Sequence, residues 1–285
     1  LYSPWLLNSF YDAAGAKTLL LERIEATAPL SVIYLAIDPI NDTRTSIAKD
    51  YPSGSAAPYP FSHTYSHNAY TNFVIYALYL IYDHYSSNNY ALPTIYFNYG
   101  SESSDLILAG FNNSDGSFDY TEWEGFVTLG EFVDTELKGY TDASNDADFQ
   151  SFVRGVTTMV SAALKSPEDD IAGNLSTFSD PSWDVDDKME VIRGKFSEIH
   201  DSIDMVGVST YGYIFYDDQY SGTNSDNEDV NRADPDLLPS DWLTQVDTIS
   251  GGKPVGITET GWISEDYDVA MDGSYIITSD QDRQN

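Results

Sequence analysis

Five short runs of β-branched and aromatic residues punctuate the chain: Val32 to Ile37, Thr94 to Phe97, Val156 to Ala162, Met205 to Thr210 and Val255 to Thr258. Side chains branched at Cβ lose rotamer freedom in a helix and pack well on a pleated surface, so each run predicts a buried strand. Between them, apolar positions recur at helical spacing over Ala69 to Tyr85, Tyr120 to Leu137, Asp186 to His200 and Ser240 to Ile249, with a further helical segment at Tyr11 to Ala26. Strands alternating with helices predict an α/β chain with a parallel sheet and right-handed crossovers. Strand starts lie about 50 to 60 residues apart, more than a minimal strand-helix unit needs, so long loops should follow the strands.

Helix starts are marked by Asp119 with Glu122 three residues on, a capping-box pattern, and by Ser240 before Asp241 and Trp242. Polar loops occupy Tyr51 to Pro60, Thr141 to Asp146 and Tyr220 to Pro235. No internal repeat and no separating linker interrupts the pattern, so residues 1–285 read as a single domain. A closed (β/α)8 barrel needs eight strands, and five are visible. The pattern therefore predicts an incomplete TIM barrel holding strands three to seven, with strands one, two and eight missing and unpaired edges left behind. The rival arrangement is an open, doubly wound sheet that is complete as it stands.

The charge narrows the partners. The 285 residues carry 13 basic and 46 acidic side chains, so the formal net charge is 13 − 46 = −33. Phosphate backbones and anionic headgroups are bound by clustered Lys and Arg, so this surface disfavours nucleic acid and membrane partners. With 41% hydrophobic residues the chain can bury a core, which separates it from a disordered acidic tail. It has no cysteine, hence no disulfide, thiolate metal site or cysteine nucleophile, and no apolar run of spanning length. The 22 Tyr, 13 Phe and 5 Trp supply flat faces suited to stacking on sugars as well as to core packing.

Two carboxylates carry the chemistry. Pro254 to Trp262 is an apolar strand ending in Glu259, followed by Thr260, Gly261 and Trp262. At the C-terminal end of a barrel strand a carboxylate stands where such folds place their reactive groups. Thr94 to Ser103 is a second strand that runs through Gly100 and Ser101 into Glu102. Two glutamates at strand ends can form the pair of a retaining glycosidase. One is protonated to donate to the leaving oxygen, the other ionised to attack the anomeric carbon, with carboxyls about 5 to 5.5 Å apart. Their repulsion helps keep one of them protonated.

Separated by 259 − 102 = 157 positions, the two residues resemble the fourth-strand acid/base and seventh-strand nucleophile of clan A glycoside hydrolases. Asp204 to Tyr213 resembles the sixth-strand segment of that clan, Val32 to Arg44 the third strand and its loop, and Pro4-Trp5 a substrate loop. The phrase from Lys253 to Trp262 is similar to that of arabinogalactan endo-β-1,4-galactanases and endo-β-1,3-glucanases. The resemblance implies a secreted, extracellular or periplasmic hydrolase of β-linked polysaccharide, monomeric and without cofactor or metal, and the net charge of −33 narrows the substrate to neutral glycans over uronate-rich or sulfated ones. It implies Glu102 as acid/base, Glu259 as nucleophile, Tyr211 hydrogen-bonded to Glu259, and Trp262, Trp5 and Tyr213 at the sugar. One departure stands out: the clan usually has Asn before the acid/base, and here that residue is Ser101. The alternative is a non-catalytic carbohydrate-binding protein on the same scaffold.

Softer candidates remain. Phe111 to Glu122 matches much of a calcium loop, including Gly116 and the final Glu, but begins with Phe instead of Asp. Trp123 could line a sugar subsite or fill the core, and His63 with His67 has the i, i+4 spacing of a metal pair but no third ligand.

Overall fold

The computed structural model describes residues 15–37, 39, 64–101, 103–110, 118–141, 146–163, 185–210 and 249–260. In chain order they form α1 (Ala16–Thr27), β1 (Val32–Ala36), α2 (Thr64–Ser87), β2 (Thr94–Asn98), α3 (Ser104–Gly110), α4 (Thr121–Lys138) and α5 (Ala147–Arg154). Next come β3 (Thr157–Ala163), α6 (Val185–Ser197), a short 3₁₀ turn at His200–Ser202, β4 (Met205–Thr210) and β5 (Val255–Thr260). All five expected strands are present within two residues of their expected bounds. Of the expected helix from Ser240 to Ile249, only Ile249 lies among the described residues, and it is helical. Two short helices, α3 and α5, were not expected.

The strands hydrogen-bond in the order β1-β2-β3-β4-β5, and the pairs β1 with β2, β2 with β3, and β4 with β5 are parallel. The chain is thus α/β with a parallel sheet in sequential order. A doubly wound sheet reverses its strand order at a switch point; no reversal occurs among these five strands, so that alternative does not describe them. The chain folds as two compact units. The first holds α1, β1, α2, β2, α4, α5 and β3 as far as Val160, with Asp201–Asp204; the second holds α3, the rest of β3, α6, β4 and β5.

In the first unit, α2 is the central helix. Every residue from Val74 to Ile81 is buried, the pattern of a helix packed on all sides, and α2 touches α1, α4 and α5. On α4 a stripe at three- and four-residue spacing, Trp123, Phe126, Gly130, Val133 and Leu137, is buried, each large member contributing about 1.5 to 3 kcal/mol relative to exposure. Gly130 is required there because a Cβ would lie 2.5 Å from the Tyr99 hydroxyl. Asp146 caps α5, accepting from the backbone N–H of Asp148 at 3.1 Å and of Phe149 at 2.9 Å.

In the second unit, α3 packs against α6, which buries Ile192 and Phe196. The ring nitrogen Nε2 of His200 lies 2.7 Å from the Ile249 carbonyl and donates to it. Gly251, at φ +58°, faces that ring, so both its backbone and the space beside it exclude a side chain.

Candidate functional site

The end of β2 is built from backbone satisfaction and aromatic packing. Asn98 is 1% exposed. Its Oδ1 accepts from the Gly100 N–H at 3.0 Å, and its Nδ2 donates to the Tyr34 hydroxyl on β1. This closes a tight turn directly after the strand. The backbone continues the ladder on both sides: Ile37 N–H donates to the Asn98 carbonyl at 3.1 Å and Tyr99 N–H to that of Met159 at 3.1 Å.

Tyr99 then turns into the core, with its ring centroid 6.1 Å from Phe97 and 5.7 Å from Phe126, and its hydroxyl donates to the Ser202 carbonyl at 3.4 Å. Burial, joined by the charges of Asp134, Glu131 and Asp204, holds its phenol well above the usual tyrosine range. Gly100 sits against the Phe126 ring with no room for a Cβ. Ser103, fully buried, donates to the Ser161 carbonyl of β3 from both its N–H, at 2.9 Å, and its hydroxyl, at 3.0 Å.

The end of β5 is organised by its register with β4. Val206, Gly207 and Val208 pair with Val255, Gly256 and Ile257; the next pairs are Ser209 with Glu259 and Thr210 with Thr260. One residue, Thr258, is therefore inserted into β5 immediately before Glu259, and its hydroxyl donates to the Val208 carbonyl at 3.2 Å. Glu259 is thus the fifth of six residues in β5, at the strand's C-terminal end. Of the other residues expected at the site, Trp5, Glu102, Tyr211, Tyr213 and Trp262 lie outside the described residues, as do His63 and the calcium-loop positions 111–117.

The softer candidates resolve differently. Trp123 is fully buried with its ring 5.7 Å from Phe126, which makes it a core residue of α4 and not a sugar platform. His67 is buried on α2, 5.2 Å from the Phe132 ring, and no group of three or more His, Asp or Glu side chains is arranged to hold a metal among the described residues. Glu122 stands exposed in the first turn of α4. Asn98, four residues before Glu102, is committed to the β2 turn. No described helix is long and apolar enough to cross a membrane.

A polar cluster that the sequence did not announce lies at the N-terminal ends of β3 and β4. Lys138 Nζ is 2.8 Å from Asp134 Oδ1 and 2.9 Å from Asp204 Oδ1. The Thr158 N–H donates to Asp204 Oδ2 at 3.0 Å, and the Thr158 hydroxyl is 3.0 Å from Asp134 and 3.1 Å from Asp204. Burial alone would raise the Asp204 carboxyl, but the Thr158 N–H and the Lys138 ammonium outweigh it and hold the group below the ordinary carboxylate range. Burial likewise pulls Lys138 down, and the two aspartates more than reverse it. The i, i+4 spacing of Asp134 and Lys138 on α4 was the available signal; the partners on β3 and before β4 are distant in sequence. Every group in the cluster has a partner within it, so the arrangement ties α4 and the start of β3 to the residue before β4.

Scanned against protein-family models and searched against curated proteins, the chain matches none of them.

Proposed function

We propose that the chain is a retaining glycoside hydrolase built on an incomplete (β/α)8 barrel and acting on a neutral β-linked polysaccharide. The observation that carries this reading is Glu259 at the C-terminal end of the last of five strands in sequential order, followed in the sequence by Thr260, Gly261 and Trp262. In the first step Glu102 gives its proton to the glycosidic oxygen, the bond from that oxygen to the anomeric carbon breaks, and the Glu259 carboxylate bonds to that carbon. In the second, the Glu102 carboxylate takes a proton from water, whose oxygen attacks the anomeric carbon and releases Glu259. Tyr211 hydrogen-bonds Glu259 and helps keep it ionised, while Trp262, Trp5 and Tyr213 hold the sugar. A net charge of −33 favours neutral glycans over uronate-rich or sulfated ones. The protein works as a monomer outside the cytoplasm, with no cofactor.

One observation favours a second reading, a non-catalytic carbohydrate-binding protein: Ser101 stands where clan A enzymes place Asn before the acid/base. The experiment that separates the two is release of reducing ends from β-1,4-galactan and β-1,3-glucan by wild type and Glu259→Ala. Release by wild type and loss in the variant are expected. Binding without release by wild type supports the second reading, and full activity in Glu259→Ala overturns the assignment of the nucleophile.

A further inference from the structure

The insertion in β5 bears on the same site, and its functional meaning rests on the glycosidase reading. Along a regular strand Val255, Ile257 and Glu259 would share one face, because side chains alternate with a period of two. Val255 and Ile257 pair with the buried Val206 and Val208, so regular alternation would assign position 259 to the face of these four apolar residues. The register step changes that assignment. Val208 pairs with Ile257, but Ser209 pairs with Glu259, and a one-residue slip transfers every later position to the opposite face. By register, position 259 lies opposite Ser209, two residues on from Gly207 along β4.

Bulges are uncommon in parallel pairs and concentrate next to active sites, where they redirect a side chain or end the pairing. The extra residue leaves the local ladder incomplete. Here the Thr258 hydroxyl donates to the Val208 carbonyl at 3.2 Å, tying the inserted residue back to the strand it steps past. We infer that Thr258 is a positioning residue for Glu259: its hydroxyl holds the bulge that sets the register of the nucleophile. A threonine suits the task because its branched carbon favours the strand while its hydroxyl reaches a neighbouring carbonyl. Valine has the same shape without the donor, and serine keeps the donor without the branch.

The test compares wild type with Thr258→Val, Thr258→Ser and Glu259→Ala. One readout is kcat and KM on β-1,4-galactan and β-1,3-glucan. The other is the titration of the Glu259 carboxyl by carbon-13 NMR of glutamate-labelled protein, assigned as the resonance missing from Glu259→Ala. Thr258→Val should lower kcat about tenfold or more with KM changed less than about twofold and move the Glu259 midpoint by about half a unit or more. Thr258→Ser should keep both near wild type. A wild-type midpoint and kcat in Thr258→Val overturn the inference, as does an equal loss in Thr258→Val and Thr258→Ser. The titration needs no turnover, so it decides the matter even for a chain that hydrolyses neither glycan. Full activity in Glu259→Ala overturns the assignment of Glu259 as the nucleophile, and absence of hydrolysis in wild type overturns the glycosidase reading. An inactive Glu259→Ala beside an unaltered Thr258→Val overturns the positioning role alone.

Discussion

β2 and β5 each lead in the sequence to a glutamate, and their last residues are held by different means. At the end of β2, Asn98 closes a turn onto Gly100, and the turn is backed by the buried rings of Tyr99 and Phe126. At the end of β5, the register steps by one residue and the step is tied by one hydroxyl, Thr258 to the Val208 carbonyl. The first arrangement is a product of packing, so errors in it lower global stability. The second is a local hydrogen bond, so errors in it should show in the geometry of Glu259 far more than in the stability of the fold.

The contrast can be broken most forcefully at Phe126. Its side chain is fully buried between Tyr99 and Trp123, and Phe126→Ala should cost about 3 to 5 kcal/mol in chemical denaturation. A loss below about 1 kcal/mol would show that packing does not support the β2 turn. Gly100→Ala comes second. With the Phe126 ring occupying the space of a Cβ, overpacking should cost about 1 to 3 kcal/mol, and a neutral substitution would mean that the turn can move away from α4.

At β5 the expected effect is smaller: Thr258→Val removes one hydrogen bond and should cost about 0.5 to 1.5 kcal/mol. A loss as large as that of Phe126→Ala would erase the distinction between the two strand ends.

A third tie, the cluster of Lys138, Asp134, Asp204 and Thr158, sharpens the comparison through pH. The Asp204 carboxyl is lowered on folding, so its contribution is present above the unfolded value near 3.9 and is lost as pH falls through the folded value. Lys138 is raised, so its contribution is present below about 10.4 and is lost as pH rises through the folded value. Both side chains are partly exposed, and water screens such pairs. The expected signature is therefore a modest loss of acid stability in wild type that is flattened in Asp204→Asn. An unchanged acid limb in that variant would remove Asp204 from the account.

Much of the fold was legible because its signals are local. The strands are runs of β-branched and aromatic residues, and the longer helices repeat their apolar positions over about three turns or more. The helices α3 and α5 were missed because seven and eight residues span about two turns, too few for periodicity to separate them from a loop. In α5 the pair Phe149 and Val153, with Asp146 as cap, was present in the sequence, yet Asp146 also reads as the end of a polar loop.

At the candidate site, Glu259 was legible as the end of an apolar strand. The step at Thr258 was not, because register is a property of β5 against β4, and those strands lie some fifty residues apart in the sequence. The same holds for Asp204, whose partners are on α4 and β3.

The central claim is that Glu259 becomes bonded to the sugar during turnover. The most direct measurement is labelling of wild type with a 2-deoxy-2-fluoro-β-glycoside carrying a good leaving group, in which the fluorine slows the second step, followed by peptide mass analysis. The expected result is one glycosyl unit esterified to the peptide containing Glu259. A label on any other residue, or no label, would contradict it.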